Sequence, residues 1–243
     1  MNSLSPLALC IGPLIPGFLW ILFYLREDLH PEPKRLLLYT FNIGMLMSVP
    51  VLAFQMIFQR AMGDMGADGA RIGLIIGLAL IEEFFKFCAA FWATKKHKEF
   101  DEPVDAMIYM IAASLGFATI ENFFVALNIL YPTSVPAVPS LLLANLSLLG
   151  QTLFLRFAGA TFLHTLSSGT IGYYWAREKF LHAPRVLFAF GLLLATIIHS
   201  GFNYLIFIFQ DTNLLYPTAF LVLNLVIILY DFEKLKPKKA LPI

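Results

Sequence analysis

Residues 72–87 read IGLIIGLALIEEFFKF, an apolar run that ends in three charged side chains. Such a run predicts a membrane-spanning helix, because about 20 apolar residues cross the ~30 Å hydrocarbon core of a bilayer. Glu82, Glu83 and Lys86 fall near the middle of the predicted span. An ionised side chain there costs ~2.5–3.5 kcal/mol on insertion scales. Either acid is spaced to pair with the lysine on the same helix, so the group indicates a structural ion pair or a functional site.

The composition of the whole chain is that of a multi-pass membrane protein. Of its 243 residues, 59% are hydrophobic and 14% are charged, whereas soluble domains average ~45–50% and ~25%. We predict an all-α polytopic transmembrane helix bundle with about seven spans. It forms a single integral membrane domain over residues 1–243, with its motifs between residues 81 and 204. The predicted spans cover residues 4–25, 36–58, 72–93, 104–131, 141–175, 186–209 and 214–230.

Several of these stretches are predicted to bend or break. At 1.5 Å per residue the fifth would be ~50 Å long, too long for one crossing. We therefore expect a break near Gly150 and Gln151, with an outer piece at the interface and a span from about residue 155. Three prolines inside predicted helices should kink them: Pro13, Pro16 and Pro50.

The basic residues predict the orientation of the chain. Of the 17 Lys and Arg residues, 13 fall after the odd-numbered spans. The positive-inside rule then places the N-terminus outside and the C-terminus in the cytosol, most simply in a prokaryotic cytoplasmic membrane. A net charge of +1 without basic runs gives no reason to expect nucleic acid as a partner. Cys10 and Cys88 lie in apolar stretches and are interpreted as small buried hydrophobes rather than a disulfide.

Three further spans carry polar groups at a similar depth. Glu121 lies in the fourth span, His164 in the fifth and His199 in the sixth, with Asn203 one turn later. Counted from the predicted cytosolic ends, Glu83 and the two histidines lie ~16–20 Å deep and Glu121 ~24 Å. A lone histidine or asparagine is most often an interhelical hydrogen bond. Because four separate spans carry acidic or imidazole side chains at nearly the same depth, we favour a polar cavity that these side chains share.

Such a set could activate a water molecule. A buried Glu can act as the general base, and a His or Asn can stabilise the developing oxyanion. We expect Asn203 to orient His199, with Lys86 and Asn122 as further orienting groups. The same groups could hold a divalent metal such as zinc, for which we select His164, His199 and Glu121. A metal mechanism and a glutamate mechanism both remain open at this stage.

The ordered motifs resemble the PrsW family of intramembrane proteases, which is related to the CAAX prenyl proteases and the bacteriocin-immunity membrane proteins. These motifs are Glu82-Glu83-x-x-Lys86, Phe117-x-x-x-Glu121-Asn122, His164 and His199-x-x-x-Asn203. The resemblance implies cleavage of a single-pass membrane protein, of the anti-sigma-factor type, or of a membrane-proximal peptide. It also implies that Glu82 and Glu83 form the water-activating motif, joined by Glu121, His164 and His199. It favours Glu82 as the base, although its spacing to Lys86 also suits a structural pair.

Two alternative functions use the same residues. A proton- or ion-coupled transporter could relay protons through the buried acids and imidazoles, although no inverted repeat is visible. A non-catalytic adaptor or immunity-type relative could keep the cavity and bind membrane partners without hydrolysis.

Overall fold

The computed structural model describes residues 4–63, 67–132, 142–209 and 213–236, and all its regular elements are helices. Nine helices occur in these ranges: α1 Leu4–Ile11, α2 Leu14–Tyr24, α3 Lys34–Met62, α4 Ala67–Thr94, α5 Pro103–Leu130, α6 Leu142–Ala158, α7 Ala160–Phe180, α8 Val186–Phe209 and α9 Leu215–Leu235. The predicted all-α fold is confirmed.

Six segments of the described chain are long and apolar enough to cross a membrane. They correspond to six of the seven predicted spans. The remaining one is α4, which has 28 residues but carries Glu82, Glu83 and Lys86 in its interior. These charges lower its hydropathy, yet α4 packs along α3 and α8 like the other helices of the bundle.

Helix α5 forms the centre of the bundle. Every residue from Pro103 to Thr119 is buried, and the helix packs against α7 and α3. Glycines permit this close packing. A Cβ atom on Gly116 would lie 1.9 Å from the carbonyl oxygen of Phe41, and one on Gly172 would lie 2.6 Å from the Cα of Met107. Backbones that approach this closely are typical of membrane helices with small residues at their interfaces.

The helix breaks differ in part from the prediction. The first stretch breaks at Gly12 and Pro13, as a proline there suggests. The fifth breaks at Gly159, not near Gly150. Gly159 has φ −114° and ψ −93°, and a Cβ there would lie 2.9 Å from the carbonyl oxygen of Leu155. Gly150 lies inside α6, and a Cβ atom there would have no neighbour within 4 Å.

The two cysteines are free thiols. Cys88 is half-buried, but Cys10 is exposed on α1, so the prediction that it is buried is wrong. Helix α1 packs against the bundle on one side only, which leaves Cys10 on its outer face.

A polar network ties the loop after α2 to the start of α5. The Asp28 carboxylate accepts backbone N–H bonds from His30 and Glu32, and the Tyr109 hydroxyl donates to Glu32. His30 Nδ1 lies 3.1 Å from Glu102 Oε2. Burial raises the pKa of Asp28 and of Glu32, whereas the hydrogen bond to Glu102 raises the pKa of His30.

Candidate active site

Helix α4 carries the acidic pair into the interior of the bundle. Glu82 is 8% exposed, and Glu83 and Lys86 are 0% exposed. A helix advances 100° per residue, so the two acids point in different directions from neighbouring positions while Lys86 lies one turn away from both. The sequence therefore gives the two carboxylates separate environments within one helical turn.

Glu83 is fully engaged by its neighbours. Its Oε1 oxygen lies 2.9 Å from Lys86 Nζ and 2.7 Å from His199 Nδ1. Ser167 donates to the same oxygen at 2.9 Å, and Ser168 donates to Oε2 at 3.3 Å. A buried carboxylate is stable only with such partners, so Glu83 is held firmly in place.

Glu82 has weaker contacts and keeps a small exposed edge. Gln55 of α3 donates to its Oε1 oxygen at 2.9 Å. Its Oε2 oxygen lies 3.5 Å from Lys86 Nζ and 3.6 Å from His199 Nε2, both longer than a strong charge-assisted hydrogen bond. Of the two acids, Glu82 is the one whose carboxylate can still accept from a further molecule.

The two imidazoles come from α7 and α8, and their ring centroids lie 5.1 Å apart. His164 Nε2 lies 2.8 Å from Glu121 Oε2, and His164 Nδ1 lies 2.7 Å from Lys86 Nζ. Since Lys86 can only donate, Nδ1 is the acceptor and Nε2–H donates to Glu121. In the same way Glu83 accepts from His199 Nδ1–H, which leaves the Nε2 lone pair of His199 on the side of Glu82.

Glu121 and Asn122 are joined by an arginine from α6. Arg156 Nη2 lies 3.1 Å from Glu121 Oε2, and Arg156 Nε donates to Asn122 Oδ1. Asn122 also donates to Thr161 Oγ1 at 3.3 Å. Asn122 therefore holds Arg156 beside Glu121 and does not reach the two histidines.

One group of side chains in the described part of the chain has the geometry of a metal site. Ligand atoms of Glu82, His164 and His199 all lie within 4.8 Å of one another, and the three residues are buried. One carboxylate and two imidazoles form a donor set that zinc and similar divalent ions prefer, so the residues fit a metal. The ammonium of Lys86 would compete with a metal ion for these residues, because it already contacts Glu82 and His164.

The predicted donor set needs one correction. We selected Glu121 with the two histidines, but the structure brings Glu82 into that group instead. The carboxylate of Glu121 lies beyond the His164 ring, where it binds Nε2 and Arg156.

The predicted contact between Asn203 and His199 is absent. Asn203 is exposed, and both ring nitrogens of His199 lie near acidic side chains of α4. Glu83 therefore orients His199 in place of Asn203. Gln55 and Arg156 are site residues that the sequence did not assign to the site. A polar glutamine within an apolar span was the available signal for the first.

The comparisons agree with the motif-based resemblance. A family model described as "PrsW family intramembrane metalloprotease" matches residues 32–230. "Protease PrsW" of Geobacillus kaustophilus (strain HTA426) is 31% identical over 185 residues, which cover 76% of this chain and 72% of that protein. "Protease PrsW" of Oceanobacillus iheyensis is 28% identical over 95% of this chain and 96% of its own length. The Bacillus subtilis (strain 168) protein of the same name is 24% identical, over 96% and 95% of the two chains.

No solved structure gives a significant match. The match to proteases favours the protease interpretation over the transporter and the adaptor. The family description also answers the question that the residues left open between a metal and a glutamate mechanism. The chain is a multi-pass membrane protein that belongs to the PrsW family of intramembrane metalloproteases.

Proposed function

We propose that this protease hydrolyses a peptide bond of a single-pass membrane protein at the buried site formed by Glu82, His164 and His199. The observation that carries the proposal is that these three side chains, from α4, α7 and α8, bring their ligand atoms within 4.8 Å of one another. An anti-sigma-factor-type protein is the substrate that the family resemblance suggests. A membrane-proximal peptide is the other substrate class compatible with the site.

Glu82 is the proposed water-activating residue. Its carboxylate has an exposed edge and only longer contacts on Oε2, so a water molecule can donate to it. Gln55 fixes the other oxygen and thereby the direction in which the carboxylate faces. A positioned carboxylate that takes a proton from the attacking water contributes typically ~10²–10⁴ to the rate.

Glu83 acts through His199 and is a positioning residue. By accepting from Nδ1–H, it selects the tautomer whose Nε2 lone pair faces Glu82. Glu121 does the same for His164, by accepting from Nε2–H. Acidic partners of this kind fix the orientation of the ring and raise its basicity.

His164, His199 and one carboxylate oxygen of Glu82 would hold the family's metal ion, and the other Glu82 oxygen would stay free to accept the proton of the water. When bound, such an ion supplies Lewis-acid chemistry, polarising the scissile carbonyl and lowering the pKa of a bound water. Lys86 and Arg156 bring two positive charges to the site, 3.5 Å from Glu82 and 3.1 Å from Glu121. These charges favour the negative oxygen that develops during peptide hydrolysis.

The proposed topology keeps the orientation that the basic residues predict. In that topology α4 is the third of seven spans, the N-terminus is outside and the C-terminus is cytosolic. The ion pair between Glu83 and Lys86 supports a membrane-spanning α4, because paired and buried charges do not face lipid.

The experiment uses mass spectrometry to identify the N-termini that proteolysis creates in membrane proteins. It compares cells that produce the parent chain with cells that produce the Glu82→Gln variant. We expect a set of N-termini within or next to transmembrane segments that disappears in Glu82→Gln and in His199→Ala. Asn203→Ala is the matched control, because this neighbour on α8 is exposed and should keep the set. An identical set in the parent and in both site variants would contradict the proposal.

A further inference from the structure

The ammonium of Lys86 is surrounded by acceptors from two helices. Its Nζ lies 2.7 Å from His164 Nδ1, 2.9 Å from Glu83 Oε1 and 3.5 Å from Glu82 Oε2. An ammonium has three N–H donors, so each of them has an acceptor to which it can point. Since the lysine is 0% exposed, its charge is balanced by these side chains and not by water.

Two of these acceptors belong to the group that fits a metal ion. Glu82 and His164 are members of that group together with His199. Because the Nε2–H of His164 donates to Glu121, the lone pair of its ring is on Nδ1, the nitrogen that accepts from Lys86. A metal ion binds a neutral imidazole through such a lone pair. An ion at this site and the ammonium therefore need the same nitrogen, and only one of them can use it.

Lys86 also has partners that lie outside the donor set. Glu83 accepts from its ammonium, and Nζ lies over the ring of Phe117, 4.9 Å from the ring centroid. A carboxylate and an aromatic face both stabilise a cation, and Phe117 is buried. The lysine stem is flexible, with four carbons between its backbone and its charge. The ammonium can thus leave His164 and still remain paired inside the bundle.

The charges of the site favour a further cation. Three carboxylates, Glu82, Glu83 and Glu121, are paired with two cations, Lys86 and Arg156. With both histidines neutral, the cluster has one excess negative charge, which attracts a positive ion. The same excess explains the need for the lysine, because buried acids without a cation are strongly destabilising.

We infer that Lys86 holds the place of the metal ion until the ion is bound, and that its ammonium then gives up His164 and Glu82. Before the exchange, the ammonium draws the acid of α4 and the imidazole of α7 towards one point. After the exchange, it stays with Glu83 and Phe117. The inference rests on the proposed function, whose donor set it uses, and gives Lys86 the role of assembling that set. Metal uptake is then a local exchange of cations in a folded bundle, unlike sites that form only as metal drives folding.

The test measures the zinc affinity of the purified protein in detergent, by competition with a chromophoric chelator, and needs no proteolysis. Lys86→Met removes the ammonium, and Glu83→Gln/Lys86→Met removes one negative and one positive charge. The double variant keeps the net charge beside the donor set, so a gain in its affinity reports freed ligands rather than weaker repulsion of the ion. Lys95→Met is the matched control, because this lysine is exposed and lies ~13 Å further along the helix axis.

We expect Lys86→Met to bind zinc about 100-fold more tightly than the parent, a difference of ~2.8 kcal/mol, because it frees two ligands and removes a nearby cation. The double variant should bind about tenfold more tightly, since it only frees the ligands. Lys95→Met should match the parent within about twofold, because an exposed charge at that distance is largely screened.

A double variant with the zinc affinity of the parent would overturn the inference, because the ammonium would then act through its charge alone. Unchanged or weaker binding by Lys86→Met would overturn it as well.

The outcomes separate this inference from the proposed function. Equal zinc affinity in the parent and the double variant, with binding lost in His199→Ala, would remove the exchange and leave the donor set. Failure of every one of these chains to bind zinc would remove the donor set, and this inference with it.

Discussion

Replacing Lys86 by Met should destabilise the bundle strongly, because it leaves Glu83 as an unpaired buried charge. Glu83 is 0% exposed and lies 2.9 Å from the lysine nitrogen. Ser167, Ser168 and the neutral His199 ring would remain as donors, but they do not neutralise the carboxylate. Removing one partner of a buried ion pair costs ~3–5 kcal/mol. For a chain of this size, that corresponds to a fall in Tm of roughly 6–20 °C.

The double variant Glu83→Gln/Lys86→Met separates the charge effect from the loss of packing. It removes both charges and keeps an amide oxygen that can accept from His199 Nδ1–H and from Ser167. We expect its stability to return to within ~1.5 kcal/mol of the parent, because neutral replacements of buried pairs are often nearly neutral in stability. The measurement is thermal unfolding of the purified protein in detergent, followed by circular dichroism.

Two results would refute the reasoning on Lys86. One is a fall in Tm of less than ~2 °C for Lys86→Met, which would mean that the carboxylate needs no buried cation. The other is a double variant as unstable as Lys86→Met, which would mean that packing of the lysine stem, rather than its charge, is what matters. A conservative exchange at an exposed site, Ile57→Met on α3, provides the baseline for the detergent assay.

Further variants test individual contacts. Gln55→Leu should lower proteolysis about tenfold with little change in Tm, because it frees the Glu82 carboxylate without creating a buried charge. Arg156→Gln should also lower the rate about tenfold, measured on the same substrate, because it removes the positive charge beside Glu121. In contrast, His30→Ala should lower Tm at about pH 5.5 but not at about pH 8. The raised pKa of His30 means that its bond to Glu102 stabilises the fold at low pH and is lost as pH rises through that pKa.

The sequence predicts the helices and the proximity of the buried acids and imidazoles, because both depend on properties that run along the chain. Apolar runs predict the spans, and the depth of Glu83, His164 and His199 in their spans predicts that they meet. Lys86 is also recognisable, since its spacing allows a pair with either acid. These predictions need only the rise per residue of a helix and the cost of a charge in lipid.

What the sequence does not predict is how each helix is rotated and where it bends. Asn203 follows His199 by four residues, an offset of about 40° around α8, and this rotation is enough to leave one exposed while the other is buried. Because the rotation of each helix is unknown from sequence, the predicted donor set contains Glu121, whereas the structure groups Glu82 with the two histidines. Likewise, two glycines in one long apolar stretch are equivalent by sequence, and the structure places the break at Gly159.

The metal content of purified protein, by inductively coupled plasma mass spectrometry after dialysis, tests the donor set most directly. We predict about one divalent ion per chain in the parent and in Asn203→Ala, and less than about one-fifth of that in Glu82→Gln, His164→Ala and His199→Ala. Proteolysis should stop on chelation and return when zinc is added back. Active protein without a stoichiometric ion, or an ion content that survives both histidine replacements, would contradict the account.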